Sequence, residues 1–203
     1  MTDDRDRWNE KYNDDSFRLP DDPIPELARR IDTLPSGRAL DVATGTGRNA
    51  RFLAAEGYDV DAVDVSDEAL DRARRAAEEA GVDVNWIRAD IDDFEFEPNA
   101  YDVITVSFFA MLERLPDLTT ALAPGGVLVY EHHLRSSDDI DIGPSSDRYR
   151  YPTNHLLHAC LDLTILHYEE RTRADHEGQT QAVATLVARN STGGKQSYPR
   201  LDE

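Results

Sequence analysis

The stretch Arg38-Ala-Leu-Asp-Val-Ala-Thr-Gly-Thr-Gly-Arg-Asn-Ala50 constrains this chain of 203 residues more than any other. It reads as a short apolar strand, a glycine turn and the start of a helix. Glycines let a ligand approach the turn backbone closely, and the helix start behind them presents unpaired N–H groups. One acid, Asp41, sits inside the strand, and another, Asp64, follows the next apolar run, Asp59-Val-Asp-Ala-Val63. Carboxylates at the ends of neighbouring parallel strands accept hydrogen bonds from ribose hydroxyls and from an amine. The occupant that suits these groups is a small molecule carrying a nucleoside.

Strand-like and helix-like segments alternate along the rest of the chain. This predicts an α/β fold, Rossmann-like and doubly wound, with a mainly parallel seven-stranded sheet. Strands are expected at 39–43, 59–63, 82–88, 101–107 and 127–132, with 163–168 and 182–188 forming an antiparallel C-terminal hairpin. Helices are expected at 48–56, 115–122 and 154–160, and from Ser66, a good N-cap, to Ala80 before Gly81. Two more helices, 6–13 and 24–34, precede the sheet, and Pro124-Gly-Gly126 is expected to turn into the fifth strand. The organisation expected is an N-terminal pair of helices capping the site (1–37), a main domain (38–189) and a flexible tail (190–203).

The formal net charge is -19, the acids are mostly Asp, and lysine occurs only at Lys11 and Lys195. Acids spread over the whole chain with almost no lysine read as a surface adapted to concentrated salt, as in halophiles. Such a surface implies weaker folding at low salt, where self-repulsion is poorly screened. No basic stripe with interleaved aromatics appears, which disfavours nucleic acid. The longest apolar stretch, Val103 to Leu112, is too short to span a bilayer. The charged N-terminus has no signal-like apolar run, so the chain reads as cytoplasmic, off the membrane, and a monomer or homodimer. A single cysteine, Cys160, excludes an internal disulfide and a cysteine-rich metal site; no metal is expected, and a packed thiol is the simplest role.

Gly45-Thr-Gly-Arg-Asn-Ala50 fits the dinucleotide pattern G-x-G-x-x-G/A, with Asp64 at the distance of a ribose-binding acid. A lone match of this kind is weak. Three features favour S-adenosylmethionine over NAD: Asp41 inside the strand, a third strand that also ends in an acid (Asp90), and no second domain to hold a hydride acceptor. The ordered set of Leu40-Asp-Val-Ala-Thr-Gly-Thr-Gly47, Val63-Asp-Val-Ser66, Ala89-Asp-Ile91, Tyr101-Asp-Val-Ile-Thr-Val106 and Leu122-Ala-Pro-Gly-Gly-Val127 resembles the class I S-adenosylmethionine-dependent methyltransferases. Trp8-Asn-Glu-Lys-Tyr12, Gly47-Arg-Asn49 and Leu166-His-Tyr-Glu-Glu170 are similar to the small tellurite-resistance-type members.

The resemblance implies cofactor contacts from Asp41, Ala43, Gly45, Thr46, Gly47, Asp64, Val65, Asp90, Ile91 and Ser107. Within that set, Asp41 would hold the loop or the ammonium, Asp64 the ribose, and Asp90 with the Ile91 backbone the adenine. Trp8 and Tyr12 share a helix face; they either close the pocket, with Tyr12 a candidate active-site group, or anchor the helix. His132 and His133 end the fifth strand on the ligand-binding rim, where only one of the two can face the site. Either one is a candidate general base or a structural hydrogen-bonder, and Glu131 is a similar rim candidate. The polar segment 136–151, with Arg148, Tyr149, Arg150 and Tyr151, is either a lid over an anionic or aromatic substrate or a solvated loop. Ser107-Phe-Phe109 departs from the Asn-Pro-Pro-Tyr-like motif of N-methylating relatives, so amide and adenine methylation are not expected. The resemblance implies methyl transfer to a small-molecule substrate such as a thiol or other soft nucleophile. A non-catalytic cofactor-binding partner subunit and an NAD-binding oxidoreductase are the alternatives.

Overall fold

The computed structural model describes residues 4–14, 17, 19–174 and 178–191. Helices α1 (Asp4–Asn13) and α2 (Pro25–Arg30) lead into β1 (Arg38–Val42), α3 (Arg48–Ala55), β2 (Asp59–Asp64) and α4 (Asp67–Ala80). There follow β3 (Asn85–Arg88), β4 (Tyr101–Ser107), α5 (Leu115–Ala121), β5 (Leu122–His133), α6 (His155–Ala159), β6 (Thr164–Ala174) and β7 (Thr180–Arg189). The seven strands form one sheet in the order β3-β2-β1-β4-β5-β7-β6. Pairings from β3 through β5 are parallel, and β7 runs antiparallel to both β5 and β6. The expected parallel sheet with an antiparallel C-terminal hairpin is the one that forms.

Alternation along the strands explains the layers. On β4, Val103 packs with α2 and α3 on one face, while Ile104 and Val106 pack with α5 and α6 on the other. β5 repeats this with Val127 and Val129 against Leu128 and Tyr130. Strand order reverses between β1 and β4, which opens a crevice at the carboxyl ends of those strands.

Several boundaries differ from expectation, β6 running on to Ala174, and three of the differences have local reasons. β3 starts at Asn85 rather than Val82, because the Val82 N–H turns back to the Ala77 carbonyl in the cap around Gly81. The helix expected at 24–34 closes at Arg30 and tightens into a single 3-10 turn, Ile31–Thr33. β5 begins at Leu122, and Pro124-Gly-Gly126 is a bulge within it: Tyr101 faces Leu122, but Val103 faces Val127. Asn190, where the tail was expected to start, donates through Nδ2 to the Leu122 carbonyl at 2.8 Å. Gly193, Gly194 and Pro199 lie outside the described residues. Among the described residues no helix is long and apolar enough to cross a membrane.

Candidate active site

β1 and β2 end side by side, and the glycine turn crosses their tips. Asp41 is buried, so its carboxylate needs donors. Thr44 Oγ1 donates to it at 2.5 Å, Thr105 Oγ1 at 2.6 Å and Asn49 Nδ2 at 3.4 Å. The acid thereby ties both ends of the turn to β4. Burial raises its pKa, and the three hydrogen bonds act against that rise. Of its two implied roles, these contacts describe the loop-holding one.

Gly45 and Gly47 are both left-handed, with φ of 56° and 75°. A Cβ at Gly47 would stand 2.6 Å from the Trp86 ring, and one at Gly45 would stand 2.7 Å from the Tyr12 hydroxyl. Asp64 closes the arrangement by accepting from Gly45 N at 2.8 Å and Ser66 N at 2.9 Å. Burial raises its pKa as well. A carboxylate has about four acceptor positions, so Asp64 keeps room to accept from ribose hydroxyls. Helix α1 lies above: Asn9 Oδ1 accepts from Ser66 Oγ at 2.8 Å, and Tyr12 is buried over Gly45. Burial, and then the Asp64 charge, keeps the Tyr12 phenol protonated. Trp8 and Phe17 flank the Tyr12 ring at 6.0 and 5.3 Å, so Tyr12 both faces the turn and anchors the helix.

At the tip of β3, Asp90 is exposed and accepts from Asp92 N at 3.0 Å, while Ile91 is buried. The loop is held by Arg114, whose guanidinium donates to the carbonyls of Ile91 at 2.6 Å, Phe94 at 2.9 Å and Asp92. An open cavity of about 460 Å³ lies beside this loop, lined by Asp92, Phe94, Phe96 and Arg114. None of the glycine-turn residues contributes to it.

The other side of the crevice is built at the tips of β4 and β5. Ser107 Oγ accepts from Arg48 Nη2 at 2.6 Å. Phe108, at a left-handed φ of 56°, stacks on His133 with ring centroids 4.3 Å apart. His132 points to the opposite face, against Tyr151 at 4.0 Å. Its Nε2 lies 3.1 Å from the Tyr149 carbonyl and must donate to it, while its buried Nδ1 has no partner among the described residues. Burial lowers the pKa of His132 to about 4, and burial with nearby His132, Arg150 and Arg173 lowers that of His133 to about 3. Glu131 is fully buried and chelated by Arg173 at 2.7 and 2.8 Å, with Thr185 Oγ1 at 3.1 Å.

The segment after β5 is pinned at both ends, since Leu134 bridges Tyr151 and Arg135 N donates to the Tyr151 carbonyl. Arg7 of α1 reaches the Tyr149 hydroxyl at 3.4 Å, so α1 and this segment meet. Cys160 is buried in the core, and burial raises its thiol to about 12, as befits a packed side chain. Among the described residues no cluster of His, Cys, Asp or Glu is suited to a metal ion.

The structure brings Tyr12, Asp41, Gly45, Gly47 and Asp64 together at one turn, with Ala43, Thr46 and Val65 partly exposed beside them. Ser107 and His133 stand on the other side with Arg48, and Asp90 stands apart at the surface. Sequence reading missed Arg114 and the partners of Asp41, Thr44 and Thr105. An arginine shortly after an apolar strand is the only trace Arg114 leaves in the chain.

Residues 39–126 match the family described as Methyltransferase domain. A demethylmenaquinone methyltransferase of Thermus thermophilus is 41% identical over 99 residues, covering 45% of this chain and 45% of that protein. A ubiquinone biosynthesis O-methyltransferase of Pectobacterium carotovorum is 37% identical over 92 residues, 45% of this chain and 38% of that one. The chain thus matches less than half the length of these relatives. In fold, it is similar to TehB from Haemophilus influenzae, with a TM-score of 0.69 at 20% identity over 92% of this chain and 66% of that one. The matched segment and the sheet order are similar to those of the class I S-adenosylmethionine-dependent methyltransferases. The match of residues 39–126 to a methyltransferase domain favours S-adenosylmethionine over the dinucleotide reading of the same glycine turn.

Proposed function

We propose that this chain is an S-adenosylmethionine-dependent enzyme that methylates a small molecule on a soft nucleophile such as a thiol. The observation that carries the reading is Asp64, held by Gly45 N and Ser66 N at the tip of β2 with lone pairs to spare. Asp64 would hold the ribose, Gly45 and Gly47 the methionine portion, and Asp90 with the Ile91 backbone the adenine. Ala43, Thr46 and Val65 would line the same crevice. Asn9 and Tyr12, from the N-terminal segment, would cap it and exclude water. When bound, S-adenosylmethionine supplies a methyl group already activated on a sulfonium. The protein's remaining task is then orientation.

The soft-nucleophile reading rests on the two histidines. With pKa values of about 4 and 3, both are neutral and weakly basic at pH 7. A thiol, with an ordinary pKa of about 8.5, ionises there without strong help. An oxygen acceptor is the second reading, favoured by the relative named an O-methyltransferase. It would make His133, the one stacked on Phe108, the base. The tellurite-resistance-type likeness of the motifs is in keeping with the TehB-like fold. We read the net charge of -19 as adaptation to concentrated salt and the protein as cytoplasmic.

The test is a calorimetric titration of S-adenosylhomocysteine into the native protein and Asp64→Ala in concentrated KCl, with melting curves to check folding. Loss of two charge-assisted hydrogen bonds should weaken uptake by about 100-fold or more. Equal affinity in both proteins, or none in either, would overturn the reading.

A further inference from the structure

The acids of the site gather around the glycine turn, whereas the tips of β4 and β5 gather arginines. Arg48 enters from the first turn of α3, and its guanidinium stands 5.7 Å from the centre of the Phe108 ring. Its hydrogen bonds go to neutral oxygens, Ser107 Oγ at 2.6 Å and the Asp22 carbonyl at 3.1 Å. No carboxylate pairs with it among the described residues. The two acids whose charge acts on it most, Glu131 and Asp41, are committed elsewhere. Glu131 is chelated by Arg173 and bonded by Thr185; Asp41 is bonded by Thr44, Thr105 and Asn49. A guanidinium has five N–H donors, so Arg48 keeps several to spend on a ligand.

Arg150 reaches the same place from the segment after β5. A Cβ at Gly143 would stand 3.2 Å from His133 Nδ1 and 3.4 Å from Arg150 Nη2, which puts Arg150 beside the imidazole that stacks on Phe108. Its one side-chain hydrogen bond among the described residues is from Nε to the Pro144 carbonyl at 3.1 Å, and it too lacks a carboxylate partner among them. In a chain of net charge -19, two half-buried guanidiniums left without acids are unexpected. They flank the strand ends where open α/β sheets bind ligands.

We propose that the methyl acceptor is a small organic molecule bearing a carboxylate, which Arg48 and Arg150 hold while its apolar body lies against Phe108. This rests on the methyltransferase reading above and names the substrate class for the same site. Guanidinium groups match carboxylate geometry with paired N–H donors, and a partly dry site strengthens the contact. The negative charge of the acceptor also fits a site that must bring it up to a cationic donor.

The test uses 4-mercaptobenzoate and its neutral counterpart 4-mercaptobenzamide as probes. Each is titrated into the protein saturated with S-adenosylhomocysteine, at one fixed KCl concentration. The benzoate should bind about tenfold or more tightly than the amide, the difference expected of charged hydrogen bonds. Arg48→Gln and Arg150→Gln should each reduce that preference towards unity, with amide binding and S-adenosylhomocysteine uptake retained. Equal affinity for the two probes, or no binding of either, overturns the proposal. So does an Arg48→Gln protein that keeps the preference but loses S-adenosylhomocysteine uptake, because Arg48 then serves the cofactor's own carboxylate. Arg150 lies in a loop, so Arg150→Gln decides the matter if Arg48→Gln does not fold. A native protein that takes up no S-adenosylhomocysteine sinks the earlier reading instead, a distinct result.

Discussion

The two sides of the crevice are built by different means. Around the glycine turn, the acids bond mostly to nearby residues, Asp41 to Thr44 and Asn49 and Asp64 to Gly45 and Ser66 across adjacent strands, with Thr105 reaching Asp41 from β4. Around the tips of β4 and β5, Arg48, Ser107, Phe108, Glu131, His133, Arg150 and Arg173 arrive from α3, three strands and a loop. The family match takes in the glycine turn and the tip of β4 and stops at residue 126, before the tip of β5, the segment over it and the hairpin. The glycine turn and its acids can therefore be written largely into one short stretch and its neighbour. The opposite side depends on long-range assembly, so it is free to vary while the turn stays the same.

The strongest way to break this comparison is at Arg173, which ties the hairpin to β5. Its guanidinium chelates Glu131, whose side chain is 1% exposed. Arg173→Gln leaves that carboxylate buried without its cation, which should cost about 3 to 5 kcal/mol. Arg173→Met with Glu131→Met removes both charges and should recover most of the loss. Denaturant unfolding at pH 7 and constant salt measures both. A single variant as stable as the native protein would show that the hairpin side is not held by this pair.

The same division governs what could be read from the chain. The glycine turn, the Ser66 cap, the strand acids and the late hairpin were legible because each depends on residues close in sequence. Ser66 Oγ accepts from Ala69 N at 3.1 Å, as an N-cap three residues ahead of its donor should. The stacking of Phe108 on His133, the Arg173 chelate and the Arg114 clamp were not legible. Each pairs residues whose meeting is decided by strand order, and no local spacing encodes strand order. The histidine pair was found on the rim, but its low basicity arises from burial, which the adjacent sequence does not reveal.

A second effect, smaller, sharpens the contrast between the faces of β5. Burial holds His132 neutral down to about pH 4, against an ordinary value of 6.5. Its Nε2 already donates to Tyr149, and a proton on Nδ1 would find no acceptor among the described residues. The folded state thus binds fewer protons than the unfolded one between those two values. Stability from this group is complete above about pH 6.5 and is lost as the pH falls towards 4. The size expected is about 3 kcal/mol. Asp41 and Asp64, raised by burial, push in the opposite direction, so the group is isolated by comparing two proteins. His132→Gln should be less stable at pH 7 yet fall less between pH 6.5 and 4.5 than the native protein. Parallel stability curves would mean that His132 does not titrate with unfolding.

The smallest expected effect lies in the turn itself and marks how little freedom the local side has. Ala43 has a φ of 52°, in the region Gly45 and Gly47 occupy, but it carries a Cβ that packs on the core. A left-handed non-glycine residue costs about 1 to 2 kcal/mol. Ala43→Gly relieves this, but it loses a packed methyl worth about 0.8 kcal/mol and adds unfolded-state entropy worth about 0.4 to 1 kcal/mol. The terms nearly cancel, so the melting temperature should move by no more than about 2 °C. The reverse change at Gly47 has no such balance, since a Cβ there would meet both the Trp86 ring and Ala73. A loss of more than about 1.5 kcal/mol in Ala43→Gly would mean that the methyl packing, not the backbone conformation, sets the shape of the turn.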